Sequence, residues 1–155
     1  MLKKLATILS LTLATVFGTS AFAADNGTAD EAKAMVEAAV AYYQENGLDA
    51  LTAAAQDPAN ATFHDRDLYV FAYTMEGINT IHGVKPQLNG KDLSGLKDQN
   101  GVEIIKGMIA LVQSDGSGWL DYQWPNPTTN TVQAKSSYVT KLDDDHFVGV
   151  GIYVE

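Results

Sequence analysis

The chain of 155 residues contains no cysteine. This absence excludes a disulfide framework, a lipidated cysteine behind a leader and covalent haem attachment. Cations are also scarce, because ten Lys and Arg stand against 19 Asp and Glu, for a net charge of −9. Nucleic acid and anionic lipid both require a basic protein face, so the charge balance excludes them as partners.

The sequence also lacks the residue patterns that enzymes use. It contains no phosphate-binding glycine loop, no metal-spaced histidine pair and no constellation typical of an activated nucleophile. The acidic run at residues 143–146 has metal-ligand residue types, but successive turn residues point in different directions, which favours a solvated turn. We therefore expect no enzyme activity, no metal site and no cofactor.

A long apolar run is found only at the beginning of the chain. Lys3 and Lys4 precede an apolar stretch over residues 5–17, and Ala21 to Ala23 form a small-x-small cleavage pattern. The run is shorter than the roughly 20 residues that span a bilayer. The pattern predicts a bacterial signal peptide over residues 1–23 and a periplasmic chain that begins at Ala24. An uncleaved membrane anchor is the alternative.

Cleavage would leave 132 residues, or 155 minus 23, which is the size of one domain. It removes two Lys and no acid, so the net charge moves from −9 to −11 with seven Lys and one Arg remaining. A protein this acidic that binds an acid must concentrate its few cations at the binding site.

The hydrophobic periodicity changes from helical to strand-like along the chain. Thr28 and Glu31 predict a capping box before a long helix, Gly47 predicts its end, and a second short helix follows over residues 48–56. Strands are predicted over residues 68–75, 78–82, 118–124, 132–142 and 146–154, and a further helix over 102–112. This order is typical of an α+β fold with one antiparallel sheet.

Residues 118–127, GWLDYQWPNP, are rich in aromatic side chains. Leu120, Tyr122 and Trp124 share one face of a predicted strand, and Pro125 ends it. Lys135 follows shortly after. Aromatic walls with a few polar groups and one cation favour a pocket for a small anion. The alternative is that the aromatics form sheet core and that Lys135 is a solvated surface charge.

Several segments occur in an order that is typical of a known family: DLYVF at 67–71, EG at 76–77, IH at 81–82, LNGKDL at 88–93, DQNG at 98–101, YQWPNP at 122–127, KSSYV at 135–139 and GVGIY at 149–153. Together they resemble an extracellular single Cache domain of the second type, found in bacterial chemoreceptors and sensor kinases. The resemblance implies a PAS-like sheet of five antiparallel strands over residues 63–155. Residues 24–62 would supply the long N-terminal helix, and a small-molecule pocket would lie on the other side of the sheet.

The resemblance also implies a small carboxylate ligand, such as acetate, propionate, pyruvate or lactate. A receptor of this family carries the domain between two membrane helices and adds a signalling module, whereas this sequence stops at Glu155. We therefore expect a periplasmic module that binds a small organic acid and presents it to a separate membrane sensor. The alternative is a ligand-independent interaction protein that regulates a membrane sensor or receptor. A homodimer through the N-terminal helix stays open.

Lys135 is the candidate anchor for the carboxylate, because the resemblance places it beside the pocket and a partly dry pocket needs a charged donor. The hydroxyls of Tyr138 and Ser136 are candidates for further hydrogen bonds. Lys135 and Tyr138 have opposite parity, so a regular strand would send them to opposite faces. Either a bulge at residues 136–137 brings both inward, or one of them is structural.

His82 is a further candidate, which either donates to the ligand in both of its protonation states or orders the loop that follows. Tyr73, Tyr122 and Trp124 line the pocket or the core beside it. Arg66, flanked by acids, is expected to form a surface ion pair. The missing side chains of Gly149 and Gly151 leave a gap on the last strand, which we expect the N-terminal helix to fill.

Overall fold

The computed structural model describes residues 26–154. The predicted signal peptide over residues 1–23 and the predicted start at Ala24 lie outside these residues. Within residues 26–154, every helix is too short or too polar to cross a bilayer.

The long N-terminal helix α1 spans Ala29–Gln56. Its start is the predicted capping box, in which the Glu31 amide donates to Thr28 Oγ1 over 3.3 Å and the Thr28 amide donates to Glu31 Oε2 over 2.8 Å. Gly47 adopts φ +82°, a left-handed value that side chains disfavour, and it divides α1 at the predicted position. The two predicted helical segments are therefore present, joined at a kink.

The remaining elements form one antiparallel sheet and a second helix. The strands are β1 (His64–Asp65), β2 (Leu68–Thr74), β3 (Asn79–His82), β4 (Ser117–Pro125), β5 (Val132–Lys141) and β6 (His146–Tyr153), and α2 spans Ile104–Asp115. The strand order is β1-β2-β6-β5-β4, with β3 also paired to β2. The α+β class and all five predicted strands are confirmed. The two-residue β1 was not predicted, because two residues carry no periodicity.

Both faces of the sheet are covered, and β2 is buried on each of them. Leu68, Val70 and Ala72 pack toward α1, whereas the alternate residues Tyr69 and Phe71 pack toward α2. The period of two along the strand thus divides an aliphatic layer from an aromatic layer. The candidate site lies in the aromatic layer.

The glycines of β6 face the aromatic layer. A Cβ atom on Gly149 would lie 2.5 Å from Phe71 Cζ, and one on Gly151 would lie 2.2 Å from Lys135 Cε. The expectation that α1 fills this gap is wrong, because Val148 and Val150 are the β6 residues that face α1. The missing side chains instead make room for Phe71 and for the stem of Lys135.

Candidate functional site

Lys135 is buried in the aromatic layer, with only 1% of its surface exposed. Its Nζ donates to Tyr69 Oη over 2.8 Å and to Tyr153 Oη over 3.3 Å. The ammonium also lies 4.1 Å from the ring centroid of Tyr69 and 4.7 Å from that of Tyr153. Lys135 is therefore not a solvated surface charge.

The electrostatics of Lys135 are those of a cation without a paired anion. Burial lowers the pKa of Lys135 well below its usual value, although the charge of Asp67 acts in the opposite direction. Among residues 26–154, no carboxylate forms an ion pair with it, and its hydrogen-bond partners are neutral hydroxyls. An ammonium has three N–H donors. One N–H thus remains without an acceptor and the ammonium without a directly paired anion, and a carboxylate supplies both an acceptor and a negative charge.

Tyr69 and Tyr153 were not among the predicted site residues. Burial raises the pKa of both hydroxyls, so each stays protonated at neutral pH. Tyr153 Oη donates to the carbonyl oxygen of Pro125 over 2.8 Å, which leaves its lone pairs to accept from Lys135. The sequence carried a signal for Tyr153, because a hairpin centred on Asp144 pairs Lys135 directly with Tyr153.

His82 is held as a neutral donor. Its Nδ1 accepts from the Lys85 amide over 3.2 Å, so the proton lies on Nε2. Burial, with the charges of Lys135 and Lys85, lowers the pKa of His82 to about 3. Of the two protonation states in which His82 was predicted to donate, the neutral one is therefore the state of the unliganded protein at neutral pH. Its ring stacks between Tyr69 at 5.1 Å and Trp124 at 6.2 Å.

A small, partly open cavity lies between the sheet and α2. It leaves about 10 Å³ for the centre of a water molecule, room for one water. Tyr69 and Phe71 belong to both its wall and the surroundings of Lys135. The full lining is Tyr69, Phe71, Tyr73, His82, Ile104, Ile105, Met108, Tyr122 and Trp124. Four predicted site residues, Tyr73, His82, Tyr122 and Trp124, are thus brought together.

A larger open groove of about 480 Å³ at the edge of the sheet is lined by Lys135, which is not among the residues that line the small cavity. The groove lining also includes the carboxylates of Asp98 and Asp121. Two acids beside a single lysine oppose the binding of an anion, and the opening to solvent screens what attraction remains. The small cavity, which shares Tyr69 and Phe71 with the surroundings of Lys135, is the better candidate for a carboxylate.

Tyr138 and Ser136 lie on the opposite face of β5 from Lys135. The pairing of β5 with β4 and β6 is continuous, so the bulge that would have turned both residues inward is absent. The Tyr138 ring packs 5.4 Å from Trp119, and Ser136 donates to Asp121 over 2.5 Å. We leave both residues out of the candidate site.

Ser137, not Ser136, is the serine on the face of Lys135. It is fully buried, and its Oγ lies 2.8 Å from Tyr122 Oη. This contact fixes the Tyr122 ring in the cavity wall. Alternate residues of a strand share a face, so the sequence alone would have placed Ser137, and not Ser136, on the face of Lys135.

The loop between β3 and α2 is attached to the strand that carries the aromatic wall. Asp98 Oδ1 accepts from the amides of Asn100 and Val102, both over 2.9 Å, and Oδ2 accepts from the Gln123 amide over 2.8 Å. Burial acts to raise the pKa of Asp98, but these N–H donors together lower it. The attachment places the loop against β4, one residue before Trp124.

The remaining polar residues lie away from the cavity. Arg66 forms ion pairs with Glu31 and Asp65 over 2.8 and 2.6 Å, as predicted. Asp143 caps the β5–β6 turn by accepting from the amides of Asp145 and His146. Across residues 26–154, no cluster of three or more His, Cys, Asp or Glu could hold a metal ion.

A family model described as "Single Cache domain 2" matches residues 12–155. Among curated proteins, the methyl-accepting chemotaxis protein McpP of Pseudomonas putida is 29% identical over 125 residues, covering 75% of this chain and 23% of that protein. The sensor histidine kinase MctS of Rhizobium johnstonii is 33% identical over 116 residues, covering 73% of this chain and 25% of that protein. The chain thus matches about a quarter of each relative's length.

Solved structures share the fold. A methyl-accepting chemotaxis protein from Vibrio parahaemolyticus superposes with a TM-score of 0.68 and 36% identity, covering 81% of this chain and 88% of that one. A periplasmic sensor domain of a chemotaxis protein gives 0.65 and 29%, covering 81% and 90%. A Cache chemosensory domain, described as showing the structural basis for carboxylic acid recognition, gives 0.66 and 25%, covering 81% and 92%.

Proposed function

We propose that this chain, which belongs to the single Cache domain 2 family, senses a monocarboxylic acid of two to four carbons in the periplasm. The carrying observation is the buried Lys135 ammonium, whose hydrogen-bond partners are two neutral tyrosine hydroxyls. A related Cache domain of the same fold is described as recognising carboxylic acids. The periplasmic location is supported by a similar domain that is described as a periplasmic sensor.

In the proposed complex, one carboxylate oxygen accepts from Lys135 Nζ and the other from the Nε2–H of His82. The alkyl end of the acid packs on Ile105 and Met108 of α2, both of which line the cavity. Small-molecule sites usually combine a few polar groups, here one charged and one neutral donor, with apolar walls. A bidentate anchor of this kind favours an acid with a single carboxylate.

Even acetate exceeds the present cavity, which has room for one water molecule. A side chain at the rim must therefore move on binding. Trp124 is the rim residue that remains partly exposed, and it lies between the His82 ring at 6.2 Å and the Lys85 ammonium at 5.4 Å. We assign the movement to Trp124, because the other rings of the wall are buried.

The similar proteins are a chemoreceptor and a sensor kinase. We therefore propose that the acid-bound domain acts with a membrane sensor of one of these two kinds. A ligand-independent role as an interaction protein is the competing function, and the binding experiment separates the two.

The test is a thermal-shift titration of the chain from Ala24 with acetate, propionate, pyruvate and lactate. An acid at 100 times its dissociation constant stabilises the folded state by about 2.7 kcal/mol. Lys135→Met keeps the apolar stem and removes the charge, so we expect it to abolish the shift. Lys141→Met is the matched control, because Lys141 lies on the same strand and its ammonium pairs with Asp144 on the surface.

The control variant should respond to the acid as the parent does. If the parent protein responds to none of the four acids, the proposed ligand class is wrong and the interaction protein becomes the better account. If Lys135→Met responds like the parent, the anchor is wrong.

A further inference from the structure

Asp67 is a buried carboxylate with an incomplete set of partners. It lies between β1 and β2 with none of its surface exposed. Its Oδ1 accepts from the Gly27 amide over 2.6 Å, whereas Oδ2 has no hydrogen-bond partner. Buried carboxylates are normally paired with a cation or fully hydrogen-bonded. Asp67 Oδ2 has neither kind of partner.

Asp67 lies in the same row of the sheet as Lys135. Lys135 pairs with Tyr153 between β5 and β6, and the Val70–Val150 register between β2 and β6, continued by three residues, sets Asp67 opposite Tyr153. The charge of Asp67 raises the pKa of Lys135 against the larger effect of burial, and it also acts on the hydroxyl of Tyr153. Charges that attract each other without touching still interact strongly where water is excluded.

The other groups around the ammonium bring no negative charge. Tyr69 on β2 and Tyr153 on β6 are neutral hydroxyls, because burial raises the pKa of each. His82 on β3 is neutral, because burial lowers its pKa to about 3. Lys85, in the loop after β3, is a like charge that lowers the pKa of Lys135 further. Asp67 is thus the acidic group that offsets them.

We propose that Asp67 is the counter-charge that keeps the buried Lys135 ammonium charged and able to bind a carboxylate. It is a positioning residue that acts through Lys135, and its role in binding rests on the function proposed above. A bound carboxylate would take over this role, because it brings a full negative charge within hydrogen-bond distance of the ammonium.

The same carboxylate joins the site to the start of α1. Gly27, which donates to Asp67, immediately precedes the N-cap Thr28. A Cβ on Gly27 would lie 2.3 Å from Leu68 Cγ, so the backbone packs directly on β2 at this point.

The direct test is the titration of Lys135 in the Asp67→Asn variant. The ¹³Cε chemical shifts of labelled lysines report the titration, and the signal that disappears in Lys135→Met identifies Lys135. The amide oxygen of the introduced asparagine can still accept from the Gly27 amide, so the variant removes charge and keeps the hydrogen bond. We expect Lys135 to lose its proton at a pH lower by at least about one unit than in the parent, which is tenfold in proton affinity.

Asp65→Asn is the matched control. Asp65 is close in sequence but is exposed and paired with Arg66, so its removal should leave the Lys135 titration unchanged. An unchanged titration in Asp67→Asn would overturn the inference, and it would do so without any ligand.

A second variant covers the case in which Asp67→Asn fails to fold. Asp67→Ser also removes the charge and keeps an oxygen that can accept from the Gly27 amide, so Lys135 should again lose its proton at lower pH than in the parent; no movement would overturn the inference. The acetate affinity provides the link to binding. At the alkaline end of the pH profile, Asp67→Asn should bind acetate at least about tenfold more weakly than the parent. Toward acid pH the two affinities should become equal, because Lys135 is then protonated in both proteins. Parallel profiles in the two proteins would overturn the inference.

Failure of the proposed function has a different signature. A parent protein that binds none of the four acids removes the binding role of Asp67, whereas the lysine titration reports on the charge pair alone.

Discussion

Gly151→Ala is the substitution that most sharply tests how the fold accommodates a buried lysine. The added Cβ would lie 2.2 Å from Lys135 Cε and 2.3 Å from Ser137 Oγ, where normal contacts are longer than 3.4 Å. Lys135 cannot move aside freely, because its ammonium is fixed by two hydroxyls and its stem is enclosed. Overpacking of this kind typically costs about 1–3 kcal/mol, and we expect a value near the upper end of that range because two atoms are displaced.

Urea unfolding of the parent and the variant measures this loss, and acetate binding should weaken with it because the displaced ammonium loses its alignment. Gly95→Ala is the control, since a Cβ at Gly95 meets nothing within 4 Å and its φ is not left-handed. That change should alter the free energy of unfolding by no more than about 1 kcal/mol. If Gly151→Ala is as stable as Gly95→Ala, the packing of Lys135 across Gly151 is wrong.

Two further predictions follow from the stack of His82, Trp124 and Lys85. His82 has a pKa of about 3 in the folded protein and about 6.5 when unfolded. The unfolded state therefore gains a proton first, and stability is lost as the pH falls from about 6.5 toward 3, by about 3 kcal/mol at pH 4. Urea unfolding at pH 7 and pH 4 should show this loss reduced in His82→Gln; equal losses in both proteins would contradict the buried neutral imidazole. Lys85 lies at the outer end of the stack, so Lys85→Gln should slow acetate association several-fold and flatten its salt dependence while dissociation stays nearly constant. Stopped-flow tryptophan fluorescence measures both rates, with Lys91→Gln as the control; an effect confined to dissociation would show that Lys85 contacts the bound acid instead.

Periodicity predicted the helices because each buries one face, and the strands because their successive side chains enter different layers. In β2, for example, Tyr69, Phe71 and Tyr73 alternate into the aromatic layer. The opposite parity of Lys135 and Tyr138 in β5 correctly indicated that their side chains lie on opposite faces. The prediction that α1 fills the gap at Gly149 and Gly151 was wrong because it did not consider which residues of β6 alternate toward α1. Val148 and Val150 supply the face toward α1, which leaves the glycines on the other side.

The depth at which Lys135 lies could not be predicted from local patterns. Its burial depends on space left by Gly151 and on hydroxyls from Tyr69 and Tyr153, residues brought together from three strands. The buried Asp67 likewise accepts a hydrogen bond from Gly27, 40 residues away in the sequence. Such long-range arrangements set the charge state of the site, and a single sequence without its fold does not specify them.

The most direct measurement is a crystal structure of the chain grown with propionate at saturating concentration. The account predicts the acid in the small cavity between the sheet and α2, with a carboxylate oxygen within hydrogen-bond distance of Lys135 Nζ and its alkyl end against Met108. It also predicts a changed rotamer of Trp124 relative to the closed wall described above. Propionate bound in the open groove beside Asp98 and Asp121, or held without any contact to Lys135, would contradict the central claim.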